Sequence, residues 1–396
     1  MRCQKCGSKN LHKRGIDKRT DKQQFKCKDC GKWSLVHIDD LDVITENVRL
    51  AKQKQRQQDT NRIERKSFRE YARVENAVGQ YTKNLAMLFE KYNLSDFVET
   101  YPTSNRAVGV LQISDTHFNE MVDLTNNKYD FEIASARMKT FVEKAMTYFA
   151  SADITNVLVC LTGDLLNSDR RLDELLSNAT NRAKATFLAV DILQQAILHL
   201  NTEFNVSVAS VTGNESRIPK DWGWADGVAT DNYDFMIFNI LDHIFRDSAI
   251  QFINGDPIEL VVNVAGQNLL MLHGNGAVKH NNLETSVNQI VGRYGLKGIP
   301  IDYVIMGHQH SARLGDYYSR SASLVGANDY SDKGLNLSGR ASQNCYIFYD
   351  DGNRDAIKID LQNYYNGYNI DKSLEAYNSK SGGKTKQQQT IFKVVV

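Results

Sequence analysis

The sequence predicts an α/β protein in which a layered body follows a small cysteine-rich arm and a helical connector. Apolar runs of strand length alternate with longer helical patterns between residues 105 and 375, which is typical of layered α/β folds. Two CxxC pairs lie within the first 30 residues. Between arm and body, residues 42–75 contain neither Pro nor Gly and are rich in good helix formers.

Length and composition are those of an ordinary globular chain. The 396 residues are enough for two or three domains, and 41% hydrophobic with 24% charged residues is a usual balance. No apolar run approaches the roughly 20 residues that span a bilayer, and the N-terminal residues lack an apolar signal segment. We therefore expect a cytoplasmic protein with no membrane partner and with reduced cysteines.

The formal net charge of +1 conceals an uneven distribution. Residues 1–73 contain 20 Lys and Arg against 10 Asp and Glu, a local charge of +10, which leaves −9 for the remainder. A basic arm on an acidic body indicates a nucleic-acid partner. A solvated basic tail is the alternative explanation of the same pattern.

Four cysteines form a candidate metal site in the arm. Cys3 and Cys6 are one CxxC pair, Cys27 and Cys30 are another, and 20 residues separate the pairs. Four thiolates around one ion suit a structural zinc with tetrahedral geometry, with a redox dithiol or unliganded thiols as alternatives. A glycine follows each pair directly, as a knuckle turn favours.

With these pairs in place, residues 1–37 resemble the zinc ribbons at the start of insertion-element transposases. The resemblance runs from Cys6-Gly7-Ser8 to Lys32-Trp33 and implies that the ribbon contacts DNA. Lys and Arg interleave with Phe25 and Trp33, which fits phosphate contacts and base stacking. The two aromatic side chains could instead form the small core of the ribbon, and the ribbon could dock a protein rather than DNA.

Residues 38–104 are predicted to form a basic helical connector. Apolar residues are sparse before Tyr71 and then recur at helical spacing as far as Phe89. The pattern predicts a solvated helix followed by a helix that packs against another surface. The basic residues of the connector could contact nucleic acid, and its apolar face could mediate homo-oligomerisation.

Five predicted strands of the body, in residues 105–375, each end in side chains that commonly bind metals. The residues that follow these strands, in chain order, are Asp115 and His117, Asp164, Asn214, His273, and His308 and His310. Ligands of open α/β sheets gather where strands end, so we expect these side chains to converge. Glycines precede Asp164, Asn214 and His308 and permit tight turns there. Helices are predicted between the strands over residues 131–149, 172–200, 233–245 and 283–294.

This set of side chains indicates two metal ions. Two carboxylates, four imidazoles and one amide are too many ligands for a single ion. Mixed oxygen and nitrogen ligands favour Mn, Fe, Zn or Co over Mg or Ca alone, and we expect Mn. Two ions about 3.5–4 Å apart can clamp a phosphate ester and activate water for in-line attack.

The order Asp-x-His, Gly-Asp, Gly-Asn, His and Gly-His-x-His resembles the calcineurin-like metallophosphoesterases. The resemblance implies a β-sandwich flanked by helices, with the site on loops at the strand ends. It also implies the metal ligands: Asp115, His117 and His310 for one ion, Asn214, His273 and His308 for the other, and Asp164 as a bridge. The DNA-repair exonucleases of the family are the most similar in type, which implies cleavage of DNA.

One position departs from the family pattern. Where the family reads Gly-Asn-His, this chain reads Gly-Asn214-Glu215-Ser-Arg217, so Asn214 is kept and the histidine is replaced. Glu215 is a candidate general acid if its pKa is raised, and Arg217 is a candidate for bidentate contact with a phosphate. His280 is a third candidate for the role of the missing histidine. An ordinary surface or supporting role is the alternative for each.

The patterns predict a metal-dependent phosphodiesterase that acts on DNA, a nuclease. The alternatives are a phosphatase or nucleotide phosphodiesterase whose ribbon docks a protein, and a metal-bound scaffold without activity. An aromatic loop from Pro219 to Thr230 could cover the site, stack a base or pack on the body. Residues 376–396 are predicted from composition to be a flexible tail.

Overall fold

The computed structural model describes residues 2–20, 22–36, 49–58, 83, 106–221, 223–279, 282–328, 331 and 339–370. The chain divides into two compact units, Met1–Gln80 and Tyr81–Val396. Residues 49–58 of the predicted connector are helical. Most of the remaining connector, the predicted tail and the candidate His280 lie outside the described residues.

A three-stranded antiparallel sheet forms the arm. Its strands are β1 (Leu11–Asp17), β2 (Lys22–Cys27) and β3 (Trp33–Val36), with β2 in the centre. The Trp33 side chain is 49% exposed, so Trp33 does not form a buried core for the arm. The small sheet and the cysteine pairs beside it have the form that the ribbon prediction requires.

Thirteen strands and six helices are described in the second unit. The strands are β4 (Ala107–Ile113), β5 (Val122–Asp123), β6 (Lys128–Tyr129), β7 (Asn156–Leu161), β8 (Asn205–Ser210), β9 (Gln251–Ile253), β10 (Glu259–Val264), β11 (Gln267–Leu272), β12 (Tyr303–Met306), β13 (Arg313–Leu314), β14 (Tyr318–Arg320), β15 (Ser342–Tyr349) and β16 (Arg354–Asp360). The helices are α1 (Phe131–Ser151), α2 (Leu172–Ser177), α3 (Arg182–Asn201), α4 (Asp226–Ala229), α5 (Tyr233–Ile244) and α6 (Leu283–Leu296).

Two large mixed sheets organise this unit. The six-stranded sheet has the order β16-β15-β4-β7-β8-β9, and β4, β7, β8 and β9 run parallel. The five-stranded sheet has the order β10-β11-β12-β14-β13, with β11, β12 and β14 parallel. Parallel neighbours place their carboxyl ends along one edge, so each sheet brings successive strand ends together.

Alternate residues of the strands pack into different cores. Leu158 and Cys160 of β7 join Leu269 and Met271 of β11 in a cluster between the two sheets. Val159, between the two β7 residues, belongs instead to the cluster beneath the helices. Successive side chains of a strand point to opposite faces, so a strand buried on both faces is apolar throughout. The face-to-face packing makes the two sheets a sandwich.

Helices cover both outer faces of the sandwich. Phe141 of α1, Leu188 of α3 and Ile237 of α5 pack in one core with side chains of the six-stranded sheet. Val287 and Ile290 of α6 pack in another core with side chains of the five-stranded sheet. The β-sandwich flanked by helices that the resemblance implied is therefore confirmed. Among the described residues, no helix has the length and apolar character that a membrane span requires.

The prediction of a single helix over residues 172–200 is wrong. The chain forms α2, leaves helical conformation after Ser177, and begins α3 at Arg182. Asn181 caps α3 by accepting a hydrogen bond from the Lys184 N–H at 2.9 Å. Asn178 donates to the Ser168 carbonyl at 2.8 Å. Asparagine side chains compete for nearby backbone groups, and this competition overrides a helical spacing of apolar residues.

Candidate metal centre

The four cysteines of the arm converge on one point. The Sγ atoms of Cys3 and Cys30 lie 3.5 Å apart, and those of Cys6 and Cys27 lie 3.6 Å apart. A tetrahedron of thiolates with Zn–S bonds of about 2.3 Å has edges of roughly 3.8 Å, whereas a disulfide bond is about 2.05 Å long. The separations therefore fit four thiolates around a zinc ion and do not fit disulfides.

Matching turns shape the two cysteine pairs. The Gly7 N–H donates to the Cys3 carbonyl at 2.8 Å, and the Gly31 N–H donates to the Cys27 carbonyl at 3.0 Å. Both glycines have φ of +69°, a conformation that residues with a Cβ rarely adopt. The turns thus explain why a glycine directly follows each CxxC pair.

The strand ends of the body bring six of the predicted ligands into two groups. Asp115, His117 and His310 form the first group, and Asp164, His273 and His308 form the second. Within each group, one ligand atom from every residue lies within 4.8 Å of the others. These residues follow β4, β7, β11 and β12, so separate strands of both sheets supply the two groups.

Backbone strain is concentrated in the same residues. Seven described residues other than glycine have positive φ, and five of them belong to the two ligand groups. These five are Asp115 at 48°, His117 at 41°, Asp164 at 53°, His308 at 74° and His310 at 51°. Such conformations cost about 1–3 kcal/mol each and persist only where the surroundings hold them, which is typical of functional sites.

The second group is arranged around a close contact between His273 and Asp164. His273 Nδ1 lies 2.8 Å from the Thr162 carbonyl oxygen and must donate to it. If the ring is neutral, Nε2 carries a lone pair that faces Asp164 Oδ2 at 2.9 Å, and the two lone pairs repel each other. Burial lowers the pKa of His273, but the Asp164 carboxylate raises it more, to about 10. The contact therefore requires a positive charge, either a proton or a metal ion.

Asn214 adds an amide oxygen beside the second group. Its Nδ2 donates to Glu215 Oε1 at 2.6 Å, while its Oδ1 is buried and has no hydrogen-bond partner. An unsatisfied buried acceptor costs about 1–3 kcal/mol, which coordination to a cation would remove. The free Oδ1 thus fits a metal ligand.

The first group, Asp115, His117 and His310, also brings nitrogen and oxygen atoms close together. His117 Nε2 lies 3.1 Å from His310 Nε2, and His310 Nε2 lies 3.4 Å from Asp115 Oδ1. Burial and the neighbouring His310 lower the pKa of His117 to about 4, so its ring is neutral at physiological pH. His117 Nδ1 is also buried without a hydrogen-bond partner. Nitrogen and oxygen donors that converge in this way fit a divalent ion of the Mn, Fe, Co or Zn type.

Hydrogen bonds hold the ligand loops against one another. The Asp115 N–H donates to the Gly163 carbonyl at 3.0 Å, and the His117 N–H donates to the Asp164 carbonyl at 3.1 Å. The His308 N–H lies 3.0 and 3.1 Å from the two carboxylate oxygens of Asp115. Each group therefore depends on the loops that carry the other.

Asp234, which the sequence did not reveal as a site residue, holds the backbone of two turns of the site. Its Oδ2 accepts from the N–H groups of Asp164 at 2.9 Å and Gly213 at 2.8 Å, and its Oδ1 accepts from Leu165 at 2.9 Å. One buried carboxylate thus fixes two ligand turns. Burial and the nearby Asp164 raise the pKa of Asp234 to about 6. An acidic residue in the first turn of a helix is common, so its position gave no signal.

Three arginines hold the main chain of residues 214–217, and Arg217 is itself part of this segment. Arg170 pairs with Glu215 Oε2 at 3.2 Å and donates to the Asn214 carbonyl at 3.1 Å. Arg182 donates to the Arg217 carbonyl at 2.7 Å. The guanidinium group of Arg217 donates to the Asn214 carbonyl. Arg217 therefore holds the main chain in this structure, and its contact with a phosphate stays a prediction.

Glu215 directly follows Asn214, the predicted metal ligand, at the position where the resemblance led us to expect a histidine. Burial, followed by the charge of Asp164, raises the pKa of Glu215. This is the direction that a general acid needs. The pairing with Arg170 opposes it and orients the carboxyl group. The candidate His280 lies outside the described residues.

Comparison with known proteins gives only distant structural similarity. No protein-family model and no curated protein sequence matches the chain. Similar solved structures include Vps29 from Entamoeba histolytica in complex with zinc, at 14% identity over 64% of this chain and 99% of that chain, with a TM-score of 0.29.

Two further similar structures are described as phosphate-ester enzymes. A predicted phosphoesterase from Streptococcus pneumoniae is 13% identical over 65% of this chain and 99% of that chain, with a TM-score of 0.26. A 5′-nucleotidase from Candida albicans is 9% identical over 66% of this chain and 53% of that chain, with a TM-score of 0.32. Similarity at this level is too loose to carry an argument, so the functional reasoning rests on the geometry of the site.

Replacing Cys27 with serine tests the zinc assignment in the arm. We expect the wild-type chain to retain one zinc per molecule after dialysis and the Cys27→Ser variant to lose it, because three thiolates no longer enclose the ion. Elemental analysis measures the zinc content. Cys160→Ala is the control, since Cys160 is buried between the sheets. Equal zinc content in the wild type and Cys27→Ser would contradict the assignment.

Replacing Gly213 with alanine tests the second ligand group. A Cβ at this position overlaps the carboxylate and the amide nitrogen of Asp164. We expect Gly213→Ala to displace Asp164 and to lower the Mn content of the protein by at least one ion per chain. Gly292→Ala is the matched control, because a Cβ there meets no atom within 4 Å. Unchanged Mn content in the Gly213 variant, with an unchanged circular dichroism spectrum, would argue against the second group.

Proposed function

We propose that the protein is a two-metal phosphodiesterase that hydrolyses DNA, and that its ribbon and basic arm bind the nucleic acid. Hydrolysis is supported by the two adjacent groups of candidate ligands, which lie on strained loops at the strand ends. Lone pairs that face one another in a buried site are stable only around cations. Two cations beside each other suit a phosphoester substrate.

The two groups divide the ligands between two ions. Asp115, His117 and His310 would hold one divalent ion, and Asp164, Asn214, His273 and His308 would hold the other, with Asp164 as the proposed bridge. Bound ions would supply Lewis-acid polarisation of a phosphoester oxygen and would lower the pKa of water. The mixed donor set fits Mn, Fe, Zn or Co, and we favour Mn.

Two features of the site concern how a substrate would enter and which side chain would donate a proton. The His310 side chain is 28% exposed, whereas that of Asp115 is fully buried, so a substrate would approach from the side of His310. Glu215 lies beside Asn214 and is held by Arg170, and this position supports a carboxyl group next to the proposed second ion site. We assign it the role of general acid toward the leaving oxygen.

Features of the arm support nucleic acid as the substrate class. Residues 1–73 carry a charge of +10, which attracts a polyanion. Lys26 and Trp33 are cross-strand neighbours on one face of the small sheet, with the lysine Nζ 5.5 Å from the centre of the Trp33 ring. An exposed aromatic ring beside a cation suits contacts with a base and a phosphate. The acidic body favours the alternative, a phosphatase or nucleotide phosphodiesterase whose ribbon docks a protein.

A cleavage panel tests the proposal. The full-length protein with Mn is incubated with single-stranded, double-stranded and branched DNA, with RNA and with cyclic nucleotides. We expect cleavage of at least one form of DNA, dependence on Mn, and a loss of at least about 10³-fold in Asp164→Asn, because removing a charge between the two ions weakens both sites. Asp153→Asn is the matched control, since Asp153 is an exposed aspartate that also has positive φ.

The outcomes separate the two candidate functions. Rapid Mn-dependent hydrolysis of small phosphate esters with no cleavage of any DNA would reject the nuclease and favour the alternative. Equal activity of the wild type and Asp164→Asn would reject the metal site itself.

A further inference from the structure

An exposed tryptophan lies on a loop that is attached to the candidate centre. We define the rim loop as residues 218–231, between the turn that carries Asn214 and helix α5. The Trp224 side chain on this loop is 58% exposed. The ends of the rim loop meet, because the Ile218 N–H donates to the Asp231 carbonyl at 2.9 Å. The loop is therefore closed at its base.

The base of the rim loop is joined to the ligand turn itself. Asn232 Nδ2 donates to the Gly213 carbonyl at 2.8 Å, and the Tyr233 N–H donates to the Ser216 carbonyl at 3.0 Å. Gly213 and Ser216 flank Asn214 in the sequence. The position of the rim loop is thus set by the same turn that presents the Asn214 oxygen.

Trp224 of the rim loop lies close to the loop that follows His273. Ring atoms Cη2 and Cζ2 of Trp224 lie 3.4 Å from where a Cβ of Gly276 would stand. Gly276 follows His273 by three residues, so the two Cα atoms are at most about 11 Å apart. Trp224 therefore lies against the loop that follows His273, while its own loop is joined to the Asn214 turn, and His273 and Asn214 are proposed ligands of the same ion.

The chain next to Trp224 is closely folded, and the ring itself stays exposed. A Cβ on Gly223, the preceding residue, would stand 2.9 Å from Cγ1 of Val228, so the loop is tightly folded at this point. Gly276 has φ of +71° and presents bare backbone to the ring. A large flat apolar ring that is fixed beside a polar site is suited to a flat aromatic ligand.

We propose that Trp224 stacks against the base of the nucleotide whose phosphate is bound at the two-ion site. The proposal rests on the proposed function, since it takes phosphodiester hydrolysis at this site as given. It narrows the substrate to a phosphodiester that carries a nucleoside, and it excludes phosphoproteins and simple phosphate esters as the preferred class. Stacking accepts every base, so it adds affinity without sequence preference.

Two chromogenic diesters with the same leaving group test the proposal. The full-length protein with Mn is assayed with p-nitrophenyl thymidine 5′-phosphate and with methyl p-nitrophenyl phosphate, which has no base. We expect Trp224→Ala to lower the ratio of the two kcat/KM values by about 10-fold, mainly through KM, as loss of one stacking contact implies. Trp224→Phe should restore most of the ratio. Ile218→Ala, a partly exposed apolar residue of the same loop, should leave the ratio within about two-fold.

Two results with Trp224→Ala overturn the proposal. An equal loss on both esters in Trp224→Ala means that the side chain only supports the Asn214 turn, and an unchanged ratio means that it does not touch the base. If neither ester is hydrolysed, the contact is measured from tryptophan fluorescence with thymidine 5′-phosphate. The absence of quenching that depends on Trp224 then rejects it. Hydrolysis of the thymidine ester without cleavage of DNA rejects the nuclease and leaves the stacking proposal standing.

Discussion

The fixed position of Asp164 is the constraint on which the candidate site depends. Its N–H is held by the buried Asp234, and its carbonyl accepts from the His117 N–H. Its Oδ1 accepts from the Glu215 N–H at 2.6 Å, and its Oδ2 faces His273 at 2.9 Å. One residue thus meets the loops that follow β4, β8 and β11. A shift of Asp164 would displace residues of both groups, and Gly213 lies so close to Asp164 that a Cβ there would overlap its carboxylate.

The apolar cores of the sandwich offset the unfavourable free energy of the site. Five candidate ligand residues in left-handed conformations, together with buried charges and an unsatisfied amide oxygen, oppose folding. The two-sided burial of β7 and β11 and the helices on both outer faces supply apolar cores that offset this cost. Bound cations would remove part of the remaining cost, because they neutralise carboxylates and satisfy buried lone pairs that lack a hydrogen-bond donor. Folding stability and metal content are therefore expected to be coupled.

The sequence predicted the elements whose signals are local. A strand that ends in Asp115 or His273 is visible as an apolar run that stops at a polar residue, and the CxxC spacing is visible by itself. The contacts of Asp234 with residues 21 to 70 positions away have no local signal, and neither has the anchoring of the Asn214 turn by Arg170. The break between α2 and α3 was missed because it depends on asparagine side chains rather than on hydrophobic spacing. Local patterns predicted the candidate ligands, whereas long-range hydrogen bonds determine where these side chains lie.

Diffraction from crystals grown with Mn would show whether the strand ends hold two neighbouring metal ions. The anomalous difference map should contain two peaks about 3.5–4 Å apart. One peak should lie against Asp115, His117 and His310, and the other against Asp164, Asn214, His273 and His308. A single peak in the body, or none at saturating Mn, would contradict the two-ion site and the hydrolytic function built on it.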